Sequence, residues 1–264
     1  MSEIVLVKLG GSLITDKARL ETPRLEVLAR LAGEIARGAA KRSFRLVVGH
    51  GSGSFGHIAA QRFDLASGIR SIDQLPGISL TQERAAALHS LVIDALAGAG
   101  ASPFSIAPSS CIVAAAGRPA AFEDEPFLLA LGQGLLPVLY GDVVMDRDWG
   151  ASIFSTEKIL DLIARSLLGC GWTVRRVLWL GETDGLYDAA GKTVPHVSEA
   201  DFEEAVRAIG APAGMDVTGG MLHRLETALA LSRLGIPSLL ANGLTPGLLE
   251  RALRGEEVAG TVVS

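Results

Sequence analysis

Two kinds of segment alternate along this chain. Short aliphatic, β-branched runs with no polar face occupy residues 3–9, 44–48, 136–140 and 174–180. Such runs mark central strands of a sheet buried on both faces. Between and after them, apolar residues recur at helical spacing over 25–41, 80–97, 156–168, 201–209 and 220–234. Weaker strands are expected near 103–107 and 111–115, then a helix ending at 132–134. Residues 143–155 read as a hairpin with a polar turn at 146–150. A last strand–helix–strand covers 237–241, 248–254 and 261–263. Residues 64–77 lack clear periodicity and are expected to form a mobile loop. Alternation of this kind, with short connections, predicts an α/β fold whose mostly parallel sheet is covered on both faces. Nothing that reads as a linker or an internal repeat divides the 264 residues, so a single domain is expected.

Composition narrows the class. Hydrophobic residues make up 48% of the chain and charged ones 20%, which suits a globular protein with a large Ala/Leu/Val core. The net charge of −5, with no dominant Lys/Arg cluster, argues against a nucleic-acid groove. Lys8 interrupts the N-terminal apolar run, which therefore cannot serve as a signal segment. Gln133, Pro137 and Asp142 interrupt the apolar stretch 127–145, so no membrane span is expected and the location reads as cytoplasmic. Cys111 and Cys170 have no metal or redox spacing and read as buried structural thiols.

The chemistry concentrates in VVGHGSGSFGH, residues 47–57. A strand runs into Gly51, Ser52, Gly53, Ser54 and Gly56 and then opens a helix, which makes an anion site of backbone N–H groups. These glycines also satisfy a dinucleotide pattern. However, the loop follows the second strand, and the acid at the right spacing, Asp73, has no strand before it. A nicotinamide site is rejected. Residues 185–193, GLYDAAGKT, miss the Walker spacing by one, and Gly191-Lys192 reads as a surface turn. Lys8 sits inside a buried strand, costly unless its charge meets an anion. With Gly10, Gly11 and Ser12 it forms a second phosphate cradle, and Lys17 follows shortly after. His57, at the end of the glycine loop, is a candidate ligand of a phosphate. Asp142 and Asp184 stand at strand ends beside glycine, where open α/β sheets bind ligands. Glu157 opens a helix. His50, His89, His196 and His223 show no ligand spacing and receive no role.

In this order the pieces resemble the amino acid kinase superfamily and, within it, the isopentenyl phosphate kinases. VKLGGSLITDK (7–17), GSGSFGH (51–57), GDVV (141–144), TDGLYD (183–188), DVTGGM (216–221) and the segment 242–261 carry the resemblance over nearly the whole chain. It implies an open three-layer αβα sandwich and usually a homodimer. An acceptor-binding lobe would span about 1–140 and a nucleotide-binding lobe about 141–264. It further implies ATP, with Mg²⁺ held mainly through the nucleotide phosphates, and a small phosphate as acceptor. Carried over by position, Lys8, Gly10, Gly11, Ser12 and Gly53 would contact ATP. Glu182, Asp184, Gly219, Gly220 and Arg224 would border the nucleotide, Arg224 standing where the family carries lysine. Gly51, Ser52, Gly56, His57, Asp142 and Thr156 would bind the acceptor. Lys8, Lys17, His57 and Glu157 would serve catalysis. The acceptor's tail would lie against apolar side chains of about 77–91. Alternative acceptors are another phosphate or a phosphonate such as fosfomycin, an amino acid or UMP; a non-catalytic nucleotide sensor is the remaining reading.

Overall fold

The run EIVLVKL forms strand β1 (Glu3–Leu9), six of whose seven residues are buried. It lies in the interior of an eight-stranded sheet of a computed structural model that describes residues 3–40, 43–209 and 219–264. A one-turn helix α1 (Gly11–Ile14) and the crossover α2 (Leu25–Ala39) lead to β2 (Phe44–His50). Next come α3 (Gly53–Arg62), α4 (Leu75–Gly98), β3 (Pro103–Ser105), α5 (Pro108–Cys111), β4 (Ile112–Ala115), β5 (Arg118–Phe122), α6 (Glu125–Gly132) and β6 (Leu136–Tyr140). The hairpin β7 (Asp142–Asp146) and β8 (Gly150–Phe154) precedes α7 (Thr156–Gly169) and β9 (Thr173–Gly181). The chain closes with β10 (His196–Val197), α8 (Phe202–Ile209), α9 (Gly219–Ser232), β11 (Ser238–Asn242), α10 (Leu248–Arg254) and β12 (Thr261–Val263).

The large sheet has the order β10-β12-β11-β9-β1-β2-β6-β3 and is parallel apart from the β11–β12 pair. Strand alternation divides its side chains between two layers. Ile4 and Leu6 pack with Ile159, Ile163 and Leu225 of α7 and α9. Val5, Val7 and Leu9 pack with Leu31, Leu88 and Leu249 of α2, α4 and α10. Each such aliphatic side chain contributes roughly 1.5–3 kcal/mol by leaving water. This is the expected αβα sandwich. By the same alternation Lys8 points into the α7 layer, so its partner had to come from there.

Three expectations require correction. A second sheet, β5-β4-β7-β8, was not foreseen, because β5 exposes four of its five residues and leaves no period-two pattern. Residues 64–77 are folded: two 3₁₀ turns lead into α4, which starts at Leu75. The Gln74 side chain donates to the Phe63 carbonyl, and Leu65 packs on Val143 and Ala151. Cys111 is half-buried and Cys170 exposed, so neither is a core thiol. The turn at Gly191 is as expected, with its backbone at φ +76°.

Candidate active site

Two glycine turns meet at the C-terminal ends of β1 and β2. Gly10 donates to the Leu180 carbonyl at 2.8 Å, and Gly51 donates to the Leu9 carbonyl at 3.0 Å, which ties both turns to the sheet. Their backbones then touch. A Cβ on Gly11 would stand 2.6 Å from the Gly53 nitrogen, and one on Gly51 would stand 2.8 Å from the Gly11 nitrogen. No residue larger than glycine fits without parting the loops. Among the described residues, the N–H groups of Gly11, Ser12, Ser52 and Gly53 have no protein acceptor. Clustered amides of this kind, at the start of α1 and α3, suit an anion.

The charged groups gather around this junction. Lys8 Nζ donates to Glu157 Oε1 at 2.6 Å, both residues less than a tenth exposed. Burial pushes the Glu157 carboxyl up, but the Lys8 charge and hydrogen bond, with Arg224 adding to them, hold it at about 2. Glu157 is therefore a carboxylate, and its charge opposes the burial that lowers the Lys8 pKa. Lys17, exposed on the loop after α1, lies near enough to Lys8 and His57 for its charge to act on both. His57, one turn into α3, is exposed, and its Nδ1 lies 3.1 Å from Ser52 Oγ. Partial burial of the ring, then the charges of Lys17 and Lys8, hold its pKa below the ordinary imidazole value. Arg224 reaches the end of β9, with an Nη 2.8 Å from where a Gly181 Cβ would be. Thus Lys8, Lys17, His57, Glu157 and Arg224, spread over more than two hundred residues of sequence, form one electrostatically linked cluster.

The remaining candidates have defined places. Thr156 is buried and donates to the His50 carbonyl at 2.7 Å, joining the start of α7 to the end of β2. Buried Asp142 accepts from the Val143 and Ser109 amides at 2.8 and 3.2 Å, and burial raises its pKa. Glu182 accepts from Arg24 at 2.7 Å, and Asp184 from Asn242 at 2.9 Å and Tyr187 at 3.3 Å. Gly56 packs on Ser52. Gly219 and Gly220 open α9, while residues 216–218 of DVTGGM lie outside the described residues. Sequence reasoning passed over Thr15, which is fully buried between the two loops, and the His50–His89 contact beneath them. A threonine directly after an apolar turn carries no motif of its own.

The amino acid kinase family model matches residues 3–242. The chain belongs to the amino acid kinase family. This amino acid kinase is 35% identical to the isopentenyl phosphate kinase of Methanothermobacter thermautotrophicus over 99% of each chain. It is 34% identical to that of Haloferax volcanii over 98% of each. A solved isopentenyl phosphate kinase, 31% identical, superposes with a TM-score of 0.84 over 99% of this chain and all of that one. The family resemblance read from VKLGGSLITDK and GSGSFGH is thereby established, and so is the fold.

Proposed function

We propose that this amino acid kinase transfers the γ-phosphoryl group of ATP to isopentenyl phosphate, giving isopentenyl diphosphate and ADP. The observation that carries the reading is His57 beside Ser52 on the second glycine turn, facing the charges of Lys8 and Lys17. Full-length likeness to isopentenyl phosphate kinases supports the same acceptor.

A phosphate monoester has its second pKa near ~6, so its attacking oxygen is already ionised at neutral pH and needs no general base. The barrier is the repulsion between two polyanions held in line, which positioning and cations must offset. ATP, when bound, supplies the phosphoryl group. The residues fit such a ligand, because the glycine cradle admits no Cβ and its open amides point to an anion. Lys8, Gly10, Gly11, Ser12 and Gly53 would hold the donor phosphates, with Glu182, Asp184, Gly219, Gly220 and Arg224 around the nucleotide. Glu157 keeps Lys8 charged and aimed. Lys17 would neutralise the group in transit. Gly51, Ser52, Gly56 and His57 would hold the acceptor, Asp142 and Thr156 acting through the backbone they brace. In its Nε2–H tautomer His57 accepts from Ser52 at Nδ1 and donates from Nε2 to the acceptor phosphate. Its lowered pKa keeps it neutral, and so a donor without an added charge.

Among the described residues no three His, Cys, Asp or Glu side chains form a metal cage. Mg²⁺ would be held mainly through the nucleotide phosphates, keeping few protein ligands of its own. No described helix is long and apolar enough to cross a membrane. A cytoplasmic homodimer, with an acceptor lobe over about 1–140 and a nucleotide lobe over about 141–264, completes the reading. The test is a coupled ADP-release assay over isopentenyl phosphate, dimethylallyl phosphate, fosfomycin, glutamate and UMP. Turnover of another acceptor without turnover of isopentenyl phosphate overturns the assignment.

A further inference from the structure

Thr15 stands where the two glycine turns meet. Its residue is 0% exposed, and it follows α1 in an extended conformation (φ −136°, ψ 153°). The side-chain hydroxyl donates to the Gly11 carbonyl at 2.8 Å. Having given up its single proton, the same oxygen can only accept, and it accepts from the Ser54 amide at 3.0 Å. One atom therefore binds the first turn through Gly11 and the second through Ser54.

The surroundings leave that atom little freedom. The Thr15 amide also donates to the Gly11 carbonyl, at 2.9 Å, so the residue is held at two points on one oxygen. Gly53 is in the left-handed region at φ +51°, and a Cβ there would collide with Thr15 Oγ1. The glycine is needed for its backbone and also for the room it leaves the hydroxyl. From the base of Thr15 the chain runs out to Lys17 and returns through a bridge between Thr15 and Pro23. Thr15 thus sets the root of the Lys17 loop while it spaces the two turns.

We propose that Thr15 is a positioning residue for phosphoryl transfer, its hydroxyl fixing the separation between the donor turn at Gly11 and the acceptor turn at Ser54. This rests on the proposed reading that the two turns hold the two phosphates. A hydroxyl that only stabilised the fold would leave turnover intact in any variant that remained folded. One that fixes spacing controls the distance between attacking oxygen and transferred phosphorus, where an ångström of misplacement costs on the order of 10²-fold in rate.

The experiment compares Thr15→Val, of nearly equal shape, with Thr15→Ser, which keeps the hydroxyl. Wild-type turnover of isopentenyl phosphate is measured first. Its absence refutes the proposed function, independently of Thr15. With wild type active, kcat and both KM values are measured for each variant, with circular dichroism as the check of folding. The expected result is a kcat about 10²-fold lower for Thr15→Val, KM values within about threefold, and Thr15→Ser within about threefold of wild type. If Thr15→Val does not fold, Thr15→Ala carries the same expectation. Folded Val or Ala variants with wild-type kcat overturn the role, as does a Ser variant that loses as much as they do.

Discussion

Beneath the second glycine turn lies a chain of hydrogen bonds whose acid response can be worked out. His50 is 0% exposed and His89 5%. His50 Nδ1 lies 3.1 Å from the Gly51 carbonyl, which can only accept, so His50 carries its proton on Nδ1. Its Nε2 then accepts from His89 Nδ1 at 3.0 Å, and His89 Nε2 accepts from the Ser105 hydroxyl at 2.8 Å. Both rings are neutral, and the His89 ring centroid lies 4.4 Å from that of Tyr140. Burial, aided by the neighbouring ring, lowers His50 to about 3, and burial alone lowers His89 to about 4. The unfolded chain takes up these two protons near pH 6.5 and the folded chain does not. The contribution to stability is therefore complete above about pH 6.5 and is lost as pH falls toward 4. At pH 5 each histidine costs roughly 1.5 × 1.36, or about 2 kcal/mol, and the pair about 4 kcal/mol. That is a large part of a typical stability of ~5–15 kcal/mol. Urea unfolding between pH 8 and pH 5 measures it. Glu157, at about 2, loses its contribution only below about pH 4.5 and stays outside this window. A His89→Leu variant should start less stable, yet lose about 2 kcal/mol less than wild type over the same range. His57 contributes equally to both proteins and cancels. Equal losses in wild type and variant would refute the assignment of neutral, buried rings.

Three further outcomes follow from the charge cluster and the glycine turns. His57→Ala should lower kcat/KM for isopentenyl phosphate on the order of 10²-fold or more, with KM for ATP little changed; near-normal activity would remove His57 from the site. Glu157→Gln leaves the buried Lys8 charge without a counterion and should cost about 3 kcal/mol in urea unfolding at pH 7, together with most of kcat. A variant as stable as wild type would show that the pair contributes nothing to the fold. Gly11→Ala puts a methyl group 2.6 Å from the Gly53 nitrogen, backbone that cannot yield, so the turns must part. The protein should fold and lose transfer, and retained turnover in the same coupled assay would show that the contact is not needed.

By itself the sequence determined whatever depends on near neighbours along the chain. Periodicity is local, so β1, β2, β6 and β9 and the helices α2, α4, α6 and α7 were legible, as were both glycine turns and His57 close after the second. Lys8 in an apolar strand demanded a counter-charge on the same logic. Residues without local pattern were not legible. The exposed strand β5 has no alternation, and residues 64–77 acquire their turns from packing of Leu65 and hydrogen bonds of Gln74. Only the tertiary structure decided which groups meet. Glu157 reaches Lys8 across 149 residues because α7 covers the face into which Lys8 points, the face it shares by alternation with Ile4 and Leu6. Thr15 and Ser54 are 39 residues apart and become neighbours because β1 and β2 pair in register, Leu9 beside His50. His50 and His89, also 39 apart, meet because α4 packs along β3 and β6, and β6 pairs with the end of β2 at His50. Chain-local energetics select helix, strand and turn, while the identity of a long-range partner is set by how whole elements pack.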